Sequence, residues 1–467
     1  MLFSSISFIY YFLPVVFIVY FLAPKTYKNM VLLVSSLLFY FFGEPIYTSI
    51  LIFSTIVDFL HSLVIEKYRG QKQAKIALIS SIVINVSILG FFKYYDFIIE
   101  NINILLQTDF ELLGLSLPIG ISFFTFQTMS YTIDVYRGEA RAQKSIFGLG
   151  TYIALFPQLI AGPIVRYKTI AEEINDREHS YDNFAYGISR FVIGLCKKVL
   201  IANTLGELSV IATGANNMSV LFYWIGLIAF SIQIYFDFSG YSDMAIGLGR
   251  IFGFHFLENF NYPYVSKSIS EFWSRWHMSL GSWFKDYVYI PLGGNRGSRL
   301  KWFRNIFIVW FLTGFWHGAS WNFVIWGLYF GMILFFEKLY LGKILERLPS
   351  VFQHAYVLFI ILISFVIFNN ENLVDTVIYL KGMFGLLNIP IVNQESLYYL
   401  KSYSTIMIIS IIGATPFIKK CYSRLSDHNY IGRFINMAQP LGYIALILII
   451  TGYLVDASFN PFLYFRF

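Results

Sequence analysis

The chain has 467 residues, 57 % of them hydrophobic and 13 % charged, with 34 Lys and Arg against 27 Asp and Glu for a formal charge of +7. Its mean hydropathy of +0.62 is far too high for a soluble domain, and apolar runs recur from end to end. An all-α polytopic membrane protein follows, with no alternating strand pattern for a barrel, no basic extramembrane domain for nucleic acid, and only Cys196 and Cys421 as cysteines. Two cysteines so far apart argue for neither a disulfide framework nor a metal site.

Hydropathy places apolar spans near residues 5–22, 30–42, 46–65, 76–94, 117–135, 146–161, 184–203, 220–238, 303–316, 320–340, 354–369, 402–418 and 438–456. Several fall short of the ~20 residues a straight spanning helix needs. About eleven true spans are therefore expected, the rest being re-entrant, interfacial or broken. The run from Ile6 to Leu22 lacks a basic n-region and a small-residue cleavage site, and reads as a retained helix. Lys67, Arg69, Lys72 and Lys75 mark a cytoplasmic loop, and Lys25 and Lys28 another, which puts the N-terminus outside. The two loops agree if 30–65 crosses an even number of times. No internal repeat or linker is visible, so residues 1–467 read as one membrane-embedded domain.

Pro118 and Gly120, and then Pro157, Gly162 and Pro163, interrupt apolar runs. Such breaks are tolerated in a bilayer where protein or a water-filled cavity satisfies the backbone. A packed kink and a cavity lining both remain open from the sequence. Within 231–250, Asp237 and Asp243 stand among apolar residues, where carboxylates are costly. They serve either to pair with Lys, Arg or hydroxyls, or to line an aqueous pathway.

Residues 270–331 concentrate the chemistry. Eight of the nine tryptophans lie there, with His277 and His317. Over 271–288, Trp273, Trp276, Leu280, Trp283 and Tyr287 fall on one helical face, while Glu271 and Arg275 form an i,i+4 pair on the other. This predicts one amphipathic helix lying in the interface plane. Lys267 to Arg304 holds seven Lys or Arg against Glu271 and Asp286, a balance suited to anionic headgroups or a polyanionic donor. The turn-like Pro291–Ser298 stretch, with Asn295 and Arg296, is either a plain turn or a phosphate cradle. From Ile306 to Phe336, His317 is the single His, Lys, Arg, Asp or Glu in 31 residues. As one straight helix this run would extend ~46 Å, against a hydrocarbon core of ~30 Å. A break is expected at Thr313-Gly314 or at Gly318-Ala319-Ser320. Either leaves His317 beside irregular backbone at membrane depth, flanked by Trp316, Trp321 and Asn322.

These motifs, SGYSDMAIGLGRIFGFHFLENFNYPY at 239–264, SISEFWSRWHMSLGSWFKDYVYIPLGGNRG at 268–297, LTGFWHGASWNFVIWGLYFG at 312–331 and NPFLYFRF at 460–467, resemble the membrane-bound O-acyltransferase family. Within it they look most like the alginate and peptidoglycan O-acetyltransferase branch, and the likeness covers nearly the whole chain. The resemblance implies a bundle around a central tunnel, in a bacterial cytoplasmic (inner) membrane. It implies acetyl transfer from a cytoplasmic thioester, acetyl-CoA or an acyl carrier protein, toward an outer hydroxyl. The histidine of the W-H-G motif, His317, is then the catalytic residue, and His277 of the R-W-H motif a second functional position. An imidazole suits a general base near neutral pH. Trp273, Trp276, Arg275, Asn295, Arg296, Trp316, Trp321, Asn322, Asp237 and Asp243 are candidates for the donor site or tunnel lining.

Tyr464 carries the one hydroxyl of the aromatic 460–467 stretch. By resemblance to tails in related envelope acylation systems it reads as an acyl relay, and on its composition as an interfacial anchor. The acceptor implied is an extracytoplasmic polymer, an alginate-like or other exopolysaccharide or peptidoglycan, reached through a separate SGNH-type transferase. No metal is called for. The rival class is a polysaccharide or lipid-precursor transporter, which broken helices and intramembrane Asp residues suit, although no internal repeat supports it.

Overall fold

The computed structural model describes residues 2–456, 459 and 460. Among them all regular structure is helical. Six helices are long and apolar enough to cross a membrane: Thr48–Lys67, Lys72–Leu106, Val220–Ile251, Trp321–Leu345, Ser350–Asn369 and Tyr430–Asp456. The pair Gln394–Gly413 and Phe417–Ser426, bent by 67°, makes a seventh when taken as one span. Length and composition thus support fewer spans than the eleven expected, because several apolar runs fold as shorter helices. Ile146–Ala154 has 9 residues, Lys28–Phe41 has 14 and Ile121–Arg137 has 17.

The helices pack as two compact units, Met1–Phe191 with Tyr241–Leu257, and Val192–Gly240 with Glu258–Phe467. In the first, helices Thr48–Lys67, Lys72–Leu106 and Ile121–Arg137 enclose a polar cluster. The buried Asp58 carboxylate accepts from Ser81 Oγ at 2.6 Å and Asn85 Nδ2 at 2.9 Å. Asn85 Oδ1 in turn accepts from Ser54 Oγ and Thr128 Oγ1. With no water in a bilayer core, such groups are satisfied by neighbouring helices or not at all. The two proline-rich breaks pack on each other here. Gly120 has a φ of +77°, and a Cβ on it would sit 2.6 Å from the Leu159 carbonyl oxygen, so the approach requires glycine. Asp243 pairs with Arg190 at 2.7 Å in this unit.

The second unit holds the 270–331 segment. Lys198 Nζ meets Asp237 at 2.7 Å, with both side chains almost wholly buried. The long apolar run breaks where the second of the two expected sites lies, between helices Arg299–His317 and Trp321–Phe336. These two helices pack backbone to backbone. A Cβ on Gly314 would strike the Phe323 carbonyl, and one on Gly327 would strike the Trp310 carbonyl. Small residues that let helix backbones meet are how membrane helices gain dispersion contact without a hydrophobic driving force between them.

Candidate functional site

His317 is the last residue of its helix, at the tip of this hairpin, and is 7 % exposed. Its ring lies 5.1 Å from that of Trp326 and 5.3 Å from that of Phe368, both near perpendicular, and 5.0 Å from that of Trp316. His277 approaches the same Trp316 ring at 6.3 Å and packs edge-on to Phe238 at 4.6 Å.

The single amphipathic helix expected over 271–288 is broken at this histidine. Helices Ile269–Arg275 and Met278–Phe284 flank Trp276 and His277, and a π-helical turn Lys285–Tyr289 follows. The apolar face is buried as its spacing implied, at Trp276, Leu280, Trp283 and Tyr287. His277 itself takes the left-handed conformation, φ 45° and ψ 53°, which costs a non-glycine residue roughly 1–2 kcal/mol. Asn259 holds it there. The Asn259 carbonyl accepts from Met278 N at 2.9 Å. Its side-chain Oδ1 accepts from Ser279 N at 3.1 Å and Ser279 Oγ at 2.9 Å, and faces His277 Nδ1 at 3.2 Å. A backbone N–H only donates, so the Asn259 atom facing Ser279 is the oxygen. That oxygen only accepts, so Nδ1 of His277 carries the proton and Nε2 the lone pair. At the other end of the short helix, the buried Glu337 carboxylate accepts from Ile269 N, Ser270 N and Ser270 Oγ at 2.6–2.9 Å. A carboxylate at the first turn meets backbone N–H groups that have no helical partner.

Both histidines line one cavity of about 580 Å³, with Trp273, Trp276, Trp310 and Thr313 on its walls and Lys285 and Lys338 among its cations. That volume suits a ligand of drug or cofactor size. A second, more polar cavity of about 470 Å³ is lined by Gln233, Tyr223, Tyr379, Asn370, Glu371 and Asp375, among others. Asn369 and Asn370 on its wall directly follow Phe368, whose ring touches His317.

The remaining sequence candidates lie outside the first cavity's lining. Arg275 pairs with Glu271, as the i,i+4 spacing predicted, and donates to the Asn261 carbonyl. Asn295 and Arg296 are exposed on a turn that Asn305 closes by donating to the Leu292 and Gly294 carbonyls. Trp321 is 54 % exposed. Asn322 is buried but donates to the Asn370 carbonyl at 2.7 Å, tying the hairpin to the next helical element. Asp237 and Asp243 are engaged with Lys198 and Arg190. Tyr464 lies outside the described residues; Asn460, four positions earlier in the chain, accepts from Asn203 Nδ2 at 3.1 Å. Among the described residues no group of three or more His, Cys, Asp or Glu gathers as a metal site. Asn259, Glu337 and Lys338 were not legible as site residues, because nothing in their local sequence sets them apart.

The model of MBOAT, the membrane-bound O-acyltransferase family, matches residues 137–372, about half of the chain. The chain is 41 % identical over 380 residues to the probable alginate O-acetylase AlgI of Pseudomonas aeruginosa, covering 80 % of this chain and 73 % of that protein. It is 36 % identical to the protein of the same name in Pseudomonas putida, over the full length of both. It is 34 % identical to the peptidoglycan O-acetyltransferase of Helicobacter pylori, over 100 % of this chain and 98 % of that one. With these relatives, a helical multi-pass body and a histidine-walled cavity, the chain belongs to the membrane-bound O-acyltransferase family and is a membrane O-acyltransferase.

Proposed function

We propose that this protein moves an acetyl group from a cytoplasmic thioester, acetyl-CoA, to a hydroxyl on the outer side, for O-acetylation of an extracytoplasmic polysaccharide of the alginate or peptidoglycan kind. The observation that carries this is the placing of His277 and His317 on the wall of one cavity that also presents Lys285 and Lys338. Two ammonium groups suit the phosphates of CoA, and the apolar walls suit its pantetheine arm and thioester. The second cavity, with Glu371, Asp375, Gln233 and tyrosines, has the hydrogen-bonding character a polyhydroxylated acceptor needs.

In this reading His317 removes the proton of the attacking hydroxyl. The alkoxide oxygen bonds to the thioester carbon, and the C–S bond then breaks as the imidazolium returns its proton to sulfur. His277, with its proton on Nδ1, presents Nε2 and orients the bound thioester. A separate SGNH-type transferase completes delivery to the polymer, with Tyr464 as a relay. The test is purified protein in liposomes with labelled acetyl-CoA on one side and hydroxyl acceptors on the other. CoA release coupled to acetyl-ester formation is expected. Folded protein that consumes no thioester with any hydroxyl acceptor would sink the reading.

Asn259 supplies a prediction at the same site. Asn259→Ala removes the oxygen that fixes the His277 tautomer, and transfer should fall roughly 10–100-fold, as when a partner that orients an imidazole is lost. Asn259→Asp keeps an accepting oxygen and should retain more activity. Equal rates for the two variants would show that the tautomer does not matter.

A further inference from the structure

Against His317 lies a separate small space of about 20 Å³, lined by Trp273, Trp326, Phe368 and other apolar side chains, with Ser364. It has room for a single water-sized group. Two tryptophans with buried indole nitrogens belong to its walls. Nε1 of Trp273 and Nε1 of Trp326 are both buried, and neither meets an acceptor among the described residues. Trp326 is 3 % exposed as a whole. The rings of the two tryptophans stand 5.6 Å apart and nearly perpendicular, and that of Trp326 is 5.1 Å from the His317 imidazole. Trp273 also lines the larger cavity that holds both histidines.

A buried N–H without an acceptor is costly, and native structures rarely keep one without a reason. Phenylalanine would fill much of the same apolar surface with no donor to satisfy. Two such tryptophans on the wall of one oxygen-sized space next to an imidazole point to an acceptor that the reacting substrate supplies. We infer that the indole N–H groups of Trp326 and Trp273 form the oxyanion hole of this enzyme. The inference rests on acyl transfer at His317.

In the step, the acceptor hydroxyl oxygen bonds to the thioester carbon while its proton passes to His317. The carbonyl π pair moves onto the carbonyl oxygen, which accepts hydrogen bonds from the two indoles. The pair then returns, the C–S bond breaks, and the imidazolium proton goes to sulfur, leaving ester and free thiol. Indole donors suit this place. They are neutral, so they need no counter-charge while the cavity is empty, and a preorganised donor in a water-poor site acts most strongly where charge develops.

The test replaces Trp326, and separately Trp273, with β-(3-benzothienyl)alanine, which keeps the bicyclic shape and exchanges N–H for sulfur. Trp326→Phe serves as a second, simpler variant. Loss of one donor should lower kcat about 10²–10³-fold with KM for the thioester unchanged, because the hydrogen bond strengthens only as the oxyanion forms. A benzothienyl variant with wild-type kcat would overturn the inference and leave the space as a water site. So would a loss confined to KM or to the folded fraction. Failure of the parent reading looks different: His317→Ala then keeps its transfer rate. If His317→Ala is inactive while the benzothienyl variants are fully active, the oxyanion hole alone is lost.

Discussion

Replacing His317 by alanine is expected to lower acetyl transfer by roughly 10²–10⁴-fold, the range that a positioned general base contributes. At about 1.4 kcal/mol per factor of ten, that is roughly 3–5 kcal/mol of transition-state stabilisation. The loss should fall on kcat. The ring lies among Trp316, Trp326 and Phe368 at the wall of the 580 Å³ cavity, while Lys285 and Lys338, the proposed phosphate contacts, belong to other elements. Thioester affinity, read as KM or by direct binding, should therefore change little. Truncating a buried ring also removes packing, so alanine needs a companion. His317→Gln keeps most of the volume and a hydrogen-bonding end, cannot act as a base, and should be as inactive while melting near the wild type. Near-normal turnover in either variant, with protein correctly inserted, would remove the assignment.

The second large effect is on stability. Lys198→Met takes from the buried Asp237 carboxylate the ammonium partner it meets at 2.7 Å, and breaking a buried ion pair by removing one member costs about 3–5 kcal/mol. The pair sits at 2.7 Å, with side-chain exposures of 4 % and 3 %. Asp237→Leu, which removes the other member of the pair, should cost a similar amount. The double variant Lys198→Met/Asp237→Leu should regain most of that loss, because replacing both members of a buried pair with apolar groups is often near neutral. Unfolding midpoints in detergent measure all three, and the double-variant cycle isolates the coupling. Acetyl transfer by the double variant decides a further point. If it is well folded and inactive, Asp237 does more than pair, as the aqueous-pathway alternative expects.

How far this site was readable can be followed through particular residues. Glu271 and Arg275 lie one helical turn apart, so their pairing followed from spacing and is present. The excess length of the 306–336 run demanded a break, and Gly318 to Ser320 supplies it. The break at His277 was hidden, because the 3.6-residue pattern of Trp276, Leu280, Trp283 and Tyr287 runs through it undisturbed. What interrupts the helix is Asn259, 18 residues away, through backbone and side chain together. Likewise no local pattern marks Glu337 as the acceptor for Ile269 N and Ser270 N.

By itself the amino-acid order determined that the chain is a helical membrane protein, that His277 and His317 sit in a tryptophan-rich segment, and which motifs tie it to the O-acyltransferases. Those properties are carried by hydropathy, helical period and short motifs, each confined to neighbouring positions. Only the tertiary structure decided that the intramembrane carboxylates Asp237 and Asp243 are paired, that Trp321 faces outward, and that His277 and His317 share one cavity. The reason is physical: whether a buried charge is neutralised, or a ring meets a cavity, depends on groups far away in the chain that folding alone brings within a few ångströms.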